Sequence, residues 1–339
     1  MRFSRRIDHF SPYKTCDTEG KILMNKNESP FDLPIEMKER IIERWKAIPF
    51  NRYPPIESLP LRRKVSQQTG IDAEMIIAGC GSDGLISEIM HLFEGDYIVT
   101  FPPTFSMYGF YARRCGLKVV EIPLDDSFDI PEKIDLDIIA NAHSVFIPNP
   151  NNPTGNLFDD NKIERILKTG VPVVLDEAYW EFSGKTSLSA LQEFENLIIL
   201  RTFSKAMGLS GLRVGLGFAN RKIMHQWFSI KSPYNLNALS EIAAVEMLDR
   251  PDILEPNISF VISERQRVFQ TFRSIATDSA ANFLLIKADA FDSLLNHGIL
   301  VQKFCGRLEK YIRVTVGTKL ENDQFIRNLE EFLAFHCEG

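Results

Sequence analysis

Cysteine is scarce and unpaired: Cys16, Cys80, Cys115, Cys305 and Cys337 are odd in number, scattered, and never spaced as CxxC. That excludes a disulfide framework and leads us to expect a reduced, intracellular protein, with the cytoplasm as its location. The six histidines form neither HExxH nor a His/Cys cluster of ligand spacing, so no metal is expected. No apolar run approaches the length of a membrane span, so no membrane partner is expected. The opening Met1-Arg2-Phe3-Ser4-Arg5-Arg6 is not followed by the hydrophobic stretch of a secretory signal. Positive charge is in deficit, with 39 Lys and Arg against 45 Asp and Glu and a formal net charge of -6. A nucleic-acid partner is therefore not expected, although a local pocket for one small anion is compatible with that balance. A GxxxxGK[ST] loop, internal repeats and low-complexity tracts are all missing.

What is present suits a globular enzyme. A length of 339 residues suggests two domains and buries enough surface to fold without staples. Residues 1–30, rich in Lys, Asn, Pro and Ser, read as an arm with little regular structure. From about 75 to 219, short apolar runs alternate with longer amphipathic ones. The expected strands are 75–78, 97–100, 118–122, 144–147, 171–175, 197–200 and 214–218, each bounded by Gly, Pro, Asn or Asp. Runs without polar alternation suit a sheet covered on both faces by helices. The pattern predicts an α/β fold with a large domain, 31–235, built on a sheet of about seven strands. After Ser232-Pro233 the character changes. Helices are expected at 238–248, 258–272 and 323–335 and strands at 283–286, 299–301 and 311–316, forming a smaller α/β domain over 236–339.

Ligands of open α/β sheets bind beyond the carboxyl ends of the strands. Gly79-Cys80-Gly81-Ser82-Asp83-Gly84 follows the first strand, Pro102-Pro103-Thr104-Phe105-Ser106-Met107-Tyr108 the second, and Asn149-Pro150-Asn151-Asn152-Pro153-Thr154-Gly155 the fourth. The fifth ends in Asp176-Glu177-Ala178-Tyr179 and the sixth in Arg201-Thr202-Phe203-Ser204-Lys205. Five strand ends thus deliver an anion-binding turn, an aromatic, an amide, a carboxylate and a lysine to one edge.

Gly79–Gly84 matches G-x-G-x-x-G, the turn of a dinucleotide site, but Thr100-Phe101-Pro102 stands where that site needs an acid. Two readings remain equal for Ser82 and Asp83: a phosphate held by the free N–H groups of a helix start, or a plain capped turn. Asp176 emerges from Val173-Val174-Leu175, where a carboxylate is costly unless paired. A protonated pyridine nitrogen would pair it; a magnesium ligand or a helix cap are the plainer alternatives. Lys205 taken alone reads as solvated surface. In a partly dry cleft near positive charge its pKa would fall, freeing a neutral amine for Schiff-base formation. Arg213, with Thr202, Ser204 and the helix start at Ser82, would then make a phosphate cup.

Ser204-Lys205 with Arg213 eight residues on, the Asp176 and Asn149–Gly155 segments, Asn25-Lys26-Asn27-Glu28-Ser29-Pro30, Arg52-Tyr53-Pro54 and Tyr311-Ile312-Arg313-Val314-Thr315-Val316-Gly317 together resemble the fold-type I aminotransferases. Among them the chain is most similar to the histidinol-phosphate aminotransferase family. The resemblance spans nearly the whole chain and implies a seven-stranded mixed sheet in the large domain and pyridoxal 5'-phosphate as cofactor. It implies Lys205 as the Schiff-base lysine and proton shuttle, Asp176 as partner of the ring nitrogen, and Asn152 and Tyr179 as partners of the ring's phenolic oxygen. It further implies that Tyr108 stacks on the ring and that Ser82, Asp83, Thr202, Ser204 and Arg213 hold the phosphate. Tyr53 would reach the cofactor of the other subunit of a homodimer. Tyr13 and Arg313, with Asn152, would contact substrate, Arg313 gripping a carboxylate or phosphate in bidentate fashion.

One position departs from that family. Gln302 stands where an arginine that binds the substrate's phosphate is usual, with Lys303 or Arg307 near enough to compensate. The expected reaction is transfer of an amino group between L-histidinol phosphate and 2-oxoglutarate, in histidine biosynthesis. Decarboxylation of a phosphoamino acid and transamination of aromatic amino acids remain open. A nicotinamide-dependent oxidoreductase and a regulator that has kept the fold are the readings from other classes.

Overall fold

The computed structural model describes residues 10–12 and 17–336. Twelve strands are found among them: β1 (Ile22–Leu23), β2 (Ile76–Cys80), β3 (Tyr97–Thr100), β4 (Lys118–Glu121), β5 (Ser144–Pro148), β6 (Val173–Asp176), β7 (Leu197–Thr202), β8 (Val214–Ala219), β9 (Phe283–Ile286), β10 (Ile299–Leu300), β11 (Gln302–Lys303) and β12 (Ile312–Thr315). The seven strands expected between 75 and 219 form one sheet in the order β2-β8-β7-β6-β5-β3-β4. Strands β4, β3, β5, β6 and β7 run parallel, whereas β8 is antiparallel to both β7 and β2. The sheet is therefore mixed, and the carboxyl ends of β3, β5, β6 and β7 share one edge.

Side chains alternate across a strand, and here the alternation sorts the core into two layers. Val145, Ile147, Val173, Leu175, Leu197 and Ile199 pack on one face with Met37, Ile41, Leu61 and Val65. Phe146, Val174, Ile198 and Leu200 pack on the other with Leu85, Ile86, Ile89, Tyr108 and Trp227. Each of these aliphatic side chains contributes roughly 1.5–3 kcal/mol on burial. The covering helices show why they form where they do. Helix Gly81–Ile89 buries Leu85, Ile86 and Ile89 on one stripe. Helix Arg221–Ile230 begins at Asn220, whose side chain accepts from the Ile223 N–H, and buries Met224 and Trp227. It and the helices Ile35–Lys46 and Leu59–Thr69 are unassigned in the sequence reading.

The C-terminal part contains an antiparallel sheet, β11-β12-β9, and a parallel pair, β1-β10. Its core joins Met24, Leu284, Ile286, Ile299, Val301, Ile312, Val314, Phe325 and Leu329. Three features differ from expectation. The arm is not irregular throughout: β1 pairs with β10, and Met24 bonds Leu300 O through its N–H at 2.9 Å and the Thr315 N–H through its carbonyl at 2.8 Å. Backbone pairing with Leu300 and Thr315, 276 and 291 positions away, leaves no trace in a local pattern. The strand expected at 299–301 is β10, paired with β1, and it is followed directly by an unexpected second strand, β11, that pairs with β12. Helix Ala238–Leu248, expected with the small domain, buries Ala243, Ala244, Met247 and Leu248 among the residues of the large core. The expected boundary at 235/236 thus falls before a helix that packs with the preceding residues. No helix among the described residues is long and apolar enough to cross a membrane.

Candidate active site

A cleft of about 790 Å³ opens at the shared edge and is lined by Ser82, Asp83, Phe105, Tyr108, Asn152, Asp176, Tyr179, Thr202, Ser204, Lys205, Arg213 and Arg313. All but Phe105 are residues that the sequence reading singles out, and they come from five strand ends and the small domain.

Asp176 is the last residue of β6 and is 4% exposed. The Tyr108 hydroxyl donates to its Oδ2 at 2.8 Å and the Ala178 N–H to its Oδ1 at 3.1 Å. Burial nevertheless pushes the carboxyl up from 3.8 to about 6, outweighing the Tyr108 hydrogen bond that favours the ionised form. Tyr108 itself differs from its expected role. Its ring is fully buried and stacks on Phe146 at 4.9 Å, so its hydroxyl, not its face, serves the site. Phe105, three residues earlier in the same turn, lines the cleft and meets Tyr108 edge-on at 5.4 Å. Two aromatics three residues apart at a helix start point to different places, which a linear motif does not resolve.

The start of helix Gly81–Ile89 meets the turn before β8. The Gly81 N–H bonds Arg213 O at 2.9 Å, and Arg213 is held at φ +53°, uncommon for a residue with a side chain. Its guanidinium donates to Ser204 Oγ at 3.2 Å, Ser210 O at 3.1 Å and Asp83 Oδ2 at 3.2 Å. The Ser204 N–H in turn donates to Thr202 Oγ1 at 3.1 Å. A Cβ at Gly81 would lie 2.5 Å from Arg213 Nη2, and one at Gly215 would lie 2.3 Å from the Gly81 carbonyl carbon. The strand and the helix start touch backbone to backbone because Gly215 lacks a side chain, and Gly81 leaves room for the Arg213 guanidinium. The result is a cradle of helix N–H groups, two hydroxyls and a guanidinium, the donor set an anion requires.

Lys205 Nζ, half-buried, donates to Lys26 O at 2.9 Å and lies 5.9 Å from the centre of the Tyr179 ring. Burial, reinforced by the Arg313 charge, brings its pKa down from 10.5 to about 8. The Tyr179 hydroxyl accepts from Asn27 Nδ2 at 3.0 Å and Asn152 Nδ2 at 3.3 Å, which leaves its own proton to give. Arg313 donates to Asn152 Oδ1 and to Asn25 O, both at 2.5 Å. Behind the site, buried Glu177 is held by Arg201 at 3.0 Å, and Arg201 lies 3.8 Å over the Trp180 ring.

Residues 25–27 are thus part of the site, and the sequence reading assigns them no role. Two of their three contacts use backbone carbonyls, which no side-chain pattern announces. Tyr53 lies elsewhere: it is 79% exposed and stacks on Tyr234 at 4.3 Å, and Phe50 and Ile56, close to it in the chain, are exposed as well. Tyr13 lies outside the described residues. Gln302 and Arg307 line the cleft. Lys303 is directed away, 5.3 Å over the Phe291 ring and 3.6 Å from Asp292.

The family model for aminotransferase class I and II matches residues 19–329. A histidinol-phosphate aminotransferase of Pyrococcus furiosus is 47% identical over 327 residues, covering 96% of this chain and 97% of that one. Its counterpart from Thermococcus kodakarensis is 46% identical over 96% of this chain and 97% of its own length. Among solved structures, the histidinol-phosphate aminotransferase of Clostridium acetobutylicum superposes with a TM-score of 0.84 at 25% identity, covering 92% of this chain and 98% of that chain. That of Sinorhizobium meliloti, solved with pyridoxal-5'-phosphate, gives a TM-score of 0.84 at 24% identity over 97% of each chain. The fold is that of the fold-type I aminotransferases, and the chain belongs to the class I and II aminotransferase family.

Proposed function

We propose that this protein is a cytoplasmic, pyridoxal-phosphate-dependent histidinol-phosphate aminotransferase, exchanging an amino group between L-histidinol phosphate and 2-oxoglutarate. The observation that carries this reading is the meeting in one cleft of an amine with a lowered pKa, Lys205, and a buried carboxylate, Asp176, that forms no ion pair among the described residues. The kinship with the Pyrococcus and Thermococcus enzymes supplies the substrate.

The residues fit the cofactor. Asp176 is aimed into the cleft as an ion whose burial calls for a positive partner, and a protonated ring nitrogen is such a partner. The cradle of Ser82, Asp83, Thr202, Ser204 and Arg213 matches a phosphate. Pyridoxal phosphate, when bound, supplies an aldehyde for the donor's amine and a ring that accepts the α-carbon's electron pair.

The chain's own groups do the rest. The Tyr108 hydroxyl fixes Asp176 and favours its ionised form. Tyr179 has a free proton to give to a phenolic oxygen, because both of its contacts are donors to it. Lys205 Nζ, with a pKa of about 8, is partly neutral near neutral pH, so it can accept a proton from the substrate's α-carbon and return it to the carbon on the other side of the transferred nitrogen. Arg313, oriented by Asn152 and Asn25, holds the substrate's anionic end. Tyr53 acts in the cleft of a second copy, whose docking would also cover Phe50 and Ile56. Purified protein should convert L-histidinol phosphate only when 2-oxoglutarate is supplied. Carbon dioxide release from a phosphoamino acid without a ketoacid would overturn the assignment, and a fully active monomer in sedimentation would remove the role of Tyr53.

A further inference from the structure

We infer that Arg307 selects substrates that carry a distal phosphate, a role that rests on the aminotransferase reading above. Three arginines line the cleft: Arg213, Arg307 and Arg313. Arg213 is engaged in the anion cradle, and Arg313 is fixed between Asn152 and Asn25. Arg307 has no part in either group.

Its geometry suits an anion. The residue belongs to the short turn Gly306–Leu308 of the small domain and reaches across the cleft mouth to the large one. There it donates to Leu124 O at 2.6 Å and to Asp125 O at 2.5 Å, with the guanidinium 5.0 Å over the Phe128 ring. Carbonyls and a ring orient a guanidinium without cancelling its charge. The paired carboxylate, on Asp126, is 3.9 Å away and fully solvated, so water and salt screen it. Two of the five N–H donors are used and three remain. Pro123, Phe304 and Leu308 line the cleft beside it, and the guanidinium is itself 39% exposed at the mouth, within reach of an entering ligand.

The neighbouring candidates do not compete. Gln302 pairs in register with Arg313 and so shares its face of the sheet, but it is neutral, and its amide donates to Lys303 O at 2.7 Å. Lys303, one residue on, falls on the opposite face, over Phe291. A phosphate carries a charge of about -1.5 to -2 at neutral pH, more than one guanidinium balances. Arg313 can match a carboxylate by itself; a phosphorylated substrate calls for a second cation, and Arg307 is the arginine left to provide it.

The test uses the holoenzyme with Arg307→Gln and Arg307→Lys, and compares KM for L-histidinol phosphate with KM for L-histidinol. Loss of a charge-assisted contact should raise the first relative to the second by roughly 10- to 100-fold in the Gln variant, with partial recovery in the Lys variant. A purely structural hold on residues 124 and 125 would move both substrates together, and an unchanged ratio overturns the inference while leaving the substrate assignment intact. Should the wild type transaminate glutamate but not L-histidinol phosphate, the substrate assignment falls. Arg307 is then judged by competitive inhibition with methyl phosphate: loss of that inhibition in the Gln variant supports the inference, and equal inhibition overturns it.

Discussion

Asp176→Asn should make the cofactor-free protein more stable while abolishing its use. The carboxyl's pKa lies at about 6 in the folded chain, against 3.8 for the free group, because burial penalises the charge. Each tenfold change in proton affinity is worth about 1.4 kcal/mol, so above pH 6 the ionised form costs the fold about 3 kcal/mol. The sign follows from the raised value. The folded chain holds the proton more tightly than the unfolded one, so the cost is nil below about pH 3.8 and grows until pH passes 6. Asn removes the charge and can keep both contacts, its oxygen accepting from the Ala178 N–H and its amide donating to the Tyr108 oxygen. Only the tyrosine's proton loses its partner, at about 1 kcal/mol. A net gain of about 2 kcal/mol is expected at pH 8 in urea unfolding of the cofactor-free protein at fixed concentration. The gain should shrink as pH falls from 6 towards 4, and cofactor affinity should collapse. A variant less stable than the wild type at pH 8, or an advantage independent of pH, would refute the reasoning.

Lys205→Ala should abolish both the cofactor's visible absorbance in the protein and nearly all turnover. In the wild type, the rate of covalent cofactor uptake should rise with pH through about 8, as the amine becomes neutral, and Arg313→Ala should move that midpoint upward because a charge that lowers it is gone. Tyr108→Phe removes a hydrogen bond to the ionised carboxylate, so the acid limb of cofactor binding should move up by about one pH unit, read from titrations between pH 5 and 8. Gly215→Ala places a Cβ 2.3 Å from backbone at Gly81, and should cost about 1–3 kcal/mol in thermal or urea unfolding together with cofactor affinity.

The large domain was legible because its strands are continuous apolar runs buried on both faces, so composition alone marks them. Asp176 and Lys205 were legible for a related reason: a charged residue that ends such a run has few places to go but the sheet edge. Tyr108 and Phe105 show the limit. Both are aromatic, both follow β3, and only the packing of Tyr108 on Phe146 decides which one gives its hydroxyl to Asp176. The contributions of Asn25 and Lys26 were illegible because they are made by carbonyls, identical in every residue. Helix Ala238–Leu248 misled for a different reason: its buried face is made of small and aliphatic side chains that fit either core, and long-range packing chose the large one.

The pairing of β1 with β10 ties the two ends of the polypeptide into one structural unit. During synthesis, Met24 leaves the ribosome long before Ile312 and Val314 exist to enclose it, so the carboxyl-terminal third cannot complete its interior until the amino-terminal stretch returns. Closing so large a loop is slow. It follows that residues 251–339 produced as a separate fragment would lack a strand and a core side chain, and that adding residues 17–31 in trans should restore the order of that core.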